Sequence, residues 1–278
     1  MDKQRQITGC DAFRSRHNEK PAMLLPNCWD PMSARIFEAA GFDFLATTSG
    51  GVAWALGYPD GEQVPWSEVV AATRRMVEAV NIPVSADIEA AYGASPRDVE
   101  ASVADIIEAG VAGINIEDGA GKGVRDLADA CDRIRAARAA ADAAGIPIVI
   151  NGRCDILHKQ VGDEDKRLAA VIERSNAFVE AGADCLYPFG LRDIDQMKLF
   201  TAEVSAPVNV TGRAGTPGVA TLTNAGIARI TVASGPSLVA MTAIRDVATS
   251  LRETGGFDSL KAGITHPEAQ KLFTPPPS

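Results

Sequence analysis

Eight short apolar runs, each followed by a longer stretch of helical character, constrain this chain more than any other feature. The runs are AMLLPNC (22–28), FDFLATT (42–48), IPVSADI (82–88), AGINIED (112–118), IPIVING (146–152), ADCLYPF (183–189), APVNVTG (206–212) and ARITVAS (228–234). Strand and helix alternating eight times in 278 residues predict an α/β fold, a (β/α)8 TIM-type barrel. A doubly wound open sheet is the alternative, but no GxGxxG follows the first run. Within SPRDVEASVADIIEAG (95–110), Ser95 reads as a helix N-cap, Pro96 as the first helical residue and Gly110 as the stop. Gly41, Gly110, Gly145, Gly182 and Gly226 recur where left-handed helix caps are expected. No linker precedes residue 254, so 1–254 reads as one barrel domain and 255–278 as a C-terminal helical appendage with a Pro-rich tail.

The formal net charge of −9 and a sequence pI near 4.9 argue against nucleic acid and an anionic membrane surface as partners. The N-terminal MDKQRQITGC lacks the apolar core of a signal peptide, and no run of about 18 apolar residues occurs. The expected location is therefore the cytoplasm. The five cysteines are scattered without a CxxC pair and read as reduced, buried packing residues. His17 and His266 read as surface residues, and Cys154 with His158 is the one Cys–His pairing open to catalysis.

In such barrels the active site lies where the strands end. The ends here are polar: Asn27 and Asp30; Thr47, Thr48, Ser49, Gly50 and Gly51; Asp87 and Glu89; Glu117 and Asp118; Asn151, Arg153 and Asp155; Tyr187; Asn209 and Thr211; Ser234. Asp87 and Glu89, two apart, are expected on one strand face, with Glu117 converging from the next strand. Three clustered carboxylates raise one another's pKa values, and a divalent cation removes that cost. All-oxygen ligands favour Mg2+ or Mn2+. The competing account has these acids capping helices or pairing with Arg153. Arg153 suits bidentate capture of a carboxylate or phosphonate, or else a structural ion pair with Asp155 or Glu117. Ser49-Gly50-Gly51 could present amides to an anion, or be a plain tight turn.

LPNCWDPMSARIFEAAGF, TTSGGVAWALGYPDGE, PVSADIEAAYG, GVAGINIEDG and VINGRCD stand in the order found in the isocitrate lyase/phosphoenolpyruvate mutase superfamily, which the chain resembles from about residue 12 to 253. The resemblance implies a barrel whose last helix is swapped between subunits, in homodimers or homotetramers. It also implies Mg2+ or Mn2+ holding a small anionic 2-oxo or 2-hydroxy acid. On this sequence it makes Asp87 the direct metal ligand, with Glu89, Glu117 and Asp60 acting through metal-bound water. Ser49, Gly50 and Gly51, with Thr47 beside them, match the loop that binds the substrate carboxylate, and Arg153 and Asn209 match further substrate contacts.

The chain departs from the lyases after strand four. There DGAGKGVRDLADAC replaces the Lys-Lys/Arg-Cys-Gly-His loop, and only Lys122 and Arg125 are available to close a lid. Ala46-Thr47-Thr48 stands where those lyases carry a tyrosine, and Phe189 near their glutamate. The implied activity is Mg2+-dependent cleavage of a C–C bond in a small 2-hydroxy or 2-oxo (di)carboxylate through an enolate-like intermediate. The alternatives are phosphonopyruvate-type P–C hydrolysis or mutation, and a non-catalytic barrel.

Overall fold

The strands alternate in chemistry residue by residue, and that alternation builds the molecule. The computed structural model describes residues 2–274; the proline stretch at the extreme C-terminus lies outside them. Eight parallel strands form the ring: β1 (Met23–Leu25, continued past Pro26 by Asn27–Cys28), β2 (Leu45–Thr47), β3 (Val84–Asp87), β4 (Gly113–Glu117), β5 (Val149–Cys154), β6 (Cys185–Pro188), β7 (Asn209–Thr211) and β8 (Arg229–Thr231). β2 to β6 pair in sequence order, and a bridge between Leu186 and Val208 joins β6 to β7. β8 pairs with both β7 and β1, which closes the (β/α)8 barrel.

Pro26 explains why β1 is split. Its ring carries no N–H for a ladder bond. Met23 to Leu25 pair with Arg229 to Thr231, whereas Asn27 and Cys28 pair with Ala46 and Thr47. Asn27 bridges the break: its Oδ1 accepts from the Val232 N–H (2.8 Å) and its Nδ2 donates to the Thr47 carbonyl (2.7 Å).

The helices are α1 (Lys3–Arg16), α2 (Pro31–Ala39), α3 (Ser49–Leu56), α4 (Trp66–Ala79), α5 (Pro96–Glu108), α6 (Leu127–Ala144), α7 (Ile156–Lys159), α8 (Arg167–Glu180), α9 (Ile194–Glu203), α10 (Val219–Asn224), α11 (Gly235–Thr254) and α12 (His266–Phe273). Local chemistry starts them where expected. Ser95 and Asp98 form a capping box at α5, and Asp30 and Ser33 form one at α2. The five glycines expected at helix ends all take positive φ. The core lies between sheet and helices, where Val84, Ala86, Ile114, Ile116, Ile150, Leu186, Val210 and Ile230 are buried.

α1 plugs the N-terminal end of the barrel. Gly9 lies against Pro83 and Phe13 against Gly113, both at strand starts. Gln6 Nε2 donates to the carbonyls of Ile107 and Val111, both at 2.9 Å. Arg14 and Arg138 both pair with Asp184. This plug corrects the reading of His17 as a surface residue. The ring is 5% exposed, packs edge-on to Phe13 and shares Nδ1 with the Phe13 carbonyl (2.7 Å).

Burial, then the Arg229 charge, lowers the His17 pKa from 6.5 to about 3. Below pH 6.5 the unfolded chain binds the proton and the folded one does not, so stability falls as pH drops towards 3. Between pH 7 and pH 5 the loss is about 2 kcal/mol, from about 1.4 kcal/mol per unit. His17→Gln should therefore flatten the difference between urea unfolding free energies at pH 7 and pH 5 by that amount. An unchanged difference would mean that the ring titrates normally in the fold.

Candidate active site

The strand residues that do not face the helices face inward, and almost all are polar. Asn27, Ser85, Asp87, Asn115, Asn151, Arg153, Tyr187, Asn209, Arg229 and Thr231 line one cavity of about 210 Å³, together with Thr47, Thr48, Ser49, Asp60 and Ser234 from the strand-end loops. The strand ends thus meet as the sequence implied.

Asp87 is the most heavily constrained acid. Its Oδ1 accepts from Asn115 Nδ2 (2.9 Å) and its Oδ2 from the Ser49 N–H (3.1 Å), while its own N–H donates to Thr47 Oγ1 (2.8 Å). Asn151 Nδ2 donates to Asn115 Oδ1 (2.9 Å), so a chain of amides runs from β5 through β4 to the carboxylate. Ser49, Gly50 and Gly51 do not form a tight turn. They are the first turn of α3, whose leading N–H groups have no acceptor within the helix and suit an anion. Ser49 lines the cavity, whereas Gly50 and Gly51 pack beside it, with Asp60 and Ser234 against Gly50. Asp60 lines the cavity, and burial followed by the Asp87 charge raises its pKa. Asn209 is fully buried in the same wall and donates to Thr231 Oγ1 (3.2 Å).

Glu89 departs from the expected strand geometry. β3 ends at Asp87, and Glu89 sits beyond it at φ 53°, followed by Ala91 and Tyr92 also at positive φ. The alternation rule no longer applies there, and Glu89 lines the adjoining space and not the main cavity. Its carboxylate accepts from the Glu62 N–H (2.8 Å) and the Tyr92 hydroxyl (3.0 Å) in a small adjoining space that Asp87, Thr47 and Ser49 also border. Burial, then the Asp87 and Asp60 charges, pushes Glu89 up to about 7 against the Glu62 hydrogen bond.

Glu117 is held by Arg153 at 2.8 Å, away from the cavity surface. Burial raises its carboxyl well above the usual range, with Arg153 opposing and Asp155, Asp87 and Glu89 adding to the rise. Arg153 also forks onto Asp155 (2.7 and 3.1 Å) and stacks on Phe189 at 3.9 Å. The guanidinium lines the cavity with both neighbouring carboxylates already engaged, as the ion-pair account of Arg153 had it.

Among the described residues, no three His, Cys, Asp or Glu side chains gather closely enough to hold a metal by themselves. The donor set nevertheless suits a hard cation that keeps most of its waters, as Mg2+ does. Asp60 lines the cavity, and Asp87 reaches it in an orientation fixed by Asn115. Asp60, Glu89 and Glu117 surround it with burial-raised pKa values that a nearby positive charge would relieve.

Lys122 and Arg125 lie outside the cavity. A two-stranded hairpin, Gly119–Ala120 with Gly123–Val124, carries the exposed Lys122 at its turn, which Lys159 pins by donating to the Gly121 carbonyl (2.7 Å). Arg125 is engaged with Asp129 at the start of α6 (3.3 Å). The Cys154 thiol is buried and its pKa is raised well above the ordinary value, so it forms no thiolate pair with His158. All five cysteines are free and buried. The cavity also takes Ser85, Asn115 and Arg229, each two positions before the next inward-facing residue of its own strand. Their signal was a polar residue recurring every second position within runs otherwise read as apolar.

Gly51 is required by close approach. A Cβ there would lie 2.6 Å from Thr48 Cγ2 and 2.8 Å from Trp29 Cβ. Gly51→Ala should cost about 1–3 kcal/mol in urea unfolding, as overpacking does. A cost below about 0.5 kcal/mol would show that the α3 start can shift freely.

Comparison with known proteins agrees with this geometry. The profile of the family described as phosphoenolpyruvate phosphomutase matches residues 13–252. The 2-methylisocitrate lyase of Escherichia coli (strain K12) is 31% identical over 219 residues, 74% of this chain and 71% of its own. A candidate lyase/mutase of Burkholderia cenocepacia J2315 superimposes with a TM-score of 0.90 at 33% identity, covering 98% of each chain. Oxaloacetate acetylhydrolase, solved with its product oxalate, superimposes with a TM-score of 0.85 at 26% identity, over 96% of this chain and 94% of its own.

Proposed function

Given that the chain belongs to the phosphoenolpyruvate phosphomutase family, we propose that it is a Mg2+-dependent carbon–carbon lyase acting on a small 2-hydroxy or 2-oxo (di)carboxylate. The observation that carries this reading is the cavity of about 210 Å³ into which Asp87 is held by Asn115 and the Ser49 N–H. That volume is below the roughly 300–1,000 Å³ of pockets for drug-sized ligands and suits an acid of a few carbons. The names of the relatives support the class, since one is a 2-methylisocitrate lyase and another was solved with oxalate as product.

In this reading Asp87 holds the cation directly, and Glu89, Glu117 and Asp60 hold its waters. When bound, the cation supplies Lewis-acid stabilisation of negative charge on the substrate oxygen, worth several kcal/mol. The chain's own groups orient the acid. Ser49 and the amides of Gly50 and Gly51 face its carboxylate at the start of α3, with Thr47 fixing the Asp87 backbone. Arg153 and Asn209 line the same cavity, and Arg153 adds positive potential tempered by Glu117 and Asp155. The free, buried cysteines and the lack of any membrane-crossing helix among the described residues suit a cytoplasmic enzyme.

Oxalate titrated by calorimetry should bind only with Mg2+ present, and Asp87→Ala should abolish that binding. Metal-independent or absent binding in wild type would overturn the reading. Release of phosphate from phosphonopyruvate, with no 2-oxo acid released from hydroxy diacids, would favour P–C hydrolysis instead.

The same reading extends to assembly. α11 buries little of itself: Leu238 and Met241 are each 49% exposed, and Val239 and Ile244 about 70%. Such a patch on the helix that follows β8 marks a contact with another chain, here proposed as helix exchange in a homodimer or homotetramer. Light scattering should report an oligomer, and Val239→Asp with Ile244→Asp should shift it to monomer. A monomeric wild type would refute the exchange.

A further inference from the structure

Among the described residues, the charge balance inside the barrel leaves Arg229 without a counter-ion. Two guanidinium groups line the cavity. Arg153 is neutralised by Glu117 and Asp155. Arg229 is 1% exposed, and its Nε and Nη1 atoms have no hydrogen-bond partner among the described residues. Two positions before Thr231, it lies about 6–7 Å deeper along β8 at the rise of a strand. Below it the guanidinium sits over the Phe13 ring at 5.5 Å, on the α1 plug. The groups acting on it are the uncharged Cys185 and Tyr187 and the more distant Asp87, and His17 beneath is held neutral. A charge buried this way is costly unless something pairs with it.

Two further atoms in the cavity lining are equally unsatisfied. Ser85 Oγ and Asn151 Oδ1 are buried without partners. A guanidinium and a hydroxyl, both able to donate, together with one amide acceptor, match a carboxylate that has a hydroxyl or water beside it. Apolar residues could have filled the same layer, as they do in many barrels.

We propose that Arg229, assisted by Ser85, is a second anion subsite at the cavity floor. It receives the distal carboxylate of a substrate whose first carboxylate sits at the start of α3. Arg229 is then the residue that selects diacids over monoacids. This deepens the lyase reading and rests on it for the first carboxylate only. Both ends line one cavity of about 210 Å³, which narrows the substrate to a compact 2-hydroxy or 2-oxo diacid.

The test compares wild type, Arg229→Met and Arg229→Lys. Methionine removes the charge at similar length, and melting curves establish that each variant folds. With saturating Mg2+, calorimetry measures malate against 2-hydroxybutyrate, which lacks the second carboxylate, and oxalate as the reference. Wild type should favour malate by roughly ten- to a hundredfold, the range of a charge-assisted hydrogen bond. In Arg229→Met that preference should vanish while oxalate affinity changes less than twofold, and Arg229→Lys should keep part of it. An undiminished preference in a folded Arg229→Met overturns the proposal, as does a wild type with no preference.

Metal-free protein gives a separate readout. Sodium sulfate should raise the melting temperature of wild type more than that of Arg229→Met, and equal rises count against any anion at Arg229. A sulfate effect that depends on Arg229 without a malate preference would mean that the floor holds a free inorganic anion, and the substrate assignment falls. Failure of oxalate to bind wild type would sink the metal-acid reading alone, since the sulfate comparison does not involve the metal.

Discussion

The barrel interior is polar, and the rest of the molecule is arranged around that constraint. Buried amides, hydroxyls and charges are costly inside the ring unless they are paired, and most of them are. The partners come from adjacent strands at matched height. Asn151 supports Asn115, Asn115 orients Asp87, and Asp87 in turn receives the Ser49 N–H at the start of α3. These links require β3, β4 and β5 to hold their register, which pairs Asp87 with Asn115 and Asn115 with Asn151. A slip of one residue would turn Ile114 and Ile150 inward and the amides into the helix layer.

Electrostatics follow from the same crowding. Asp60, Asp87, Glu89, Glu117 and Asp155 occupy one end of the barrel, and Arg153 answers only part of their charge. Glu89 and Glu117 respond by holding protons more tightly than free carboxylates do. The backbone is bent to serve this end too, because Glu62, Glu89, Ala91 and Tyr92 all take left-handed φ. Strained non-glycine residues persist where surrounding contacts over-determine them, here the bonds from the Glu62 N–H and Tyr92 hydroxyl to Glu89. An apolar protein core gains nothing from such an arrangement, whereas a site built for a cation and an acid does.

Much of this was legible in the sequence, because the eight runs and their caps are local signals. The capping box of Ser95 and Asp98 and the apolar positions of IPVSAD and GINIED need no tertiary context to be read. The cavity-lining positions of Asp87, Arg153 and Asn209 followed from the rule that strand ends converge. What escaped depends on contacts between distant segments. His17 looks solvent-exposed until α1 is known to plug the barrel. Ser49 to Gly51 look like a turn until α3 is seen to begin there, and Glu89 looks like a strand residue until the chain turns left-handed. Arg229 was hidden for another reason: a run of mixed character was read as apolar when its alternation carried the message.

The division between faces explains how such a chain can change its chemistry without losing its fold. Stability resides in the outer strand faces and the helices that cover them, where Ile114, Ile150, Leu186 and Ile230 are almost fully buried. The inner faces contribute polar networks, whose replacement costs little when partners change together. The hairpin after β4 is anchored by Lys159, the Asp118 carbonyl and Val124, while its turn at Lys122 is exposed. Carrying a short Gly-rich hairpin there, or placing Phe189 beside Arg153, therefore leaves the barrel intact. Arg229 belongs to the same category, since the shell would close around an apolar side chain as readily as around a guanidinium. A charge kept in that position without a partner is better explained by what enters the cavity than by what holds the barrel together.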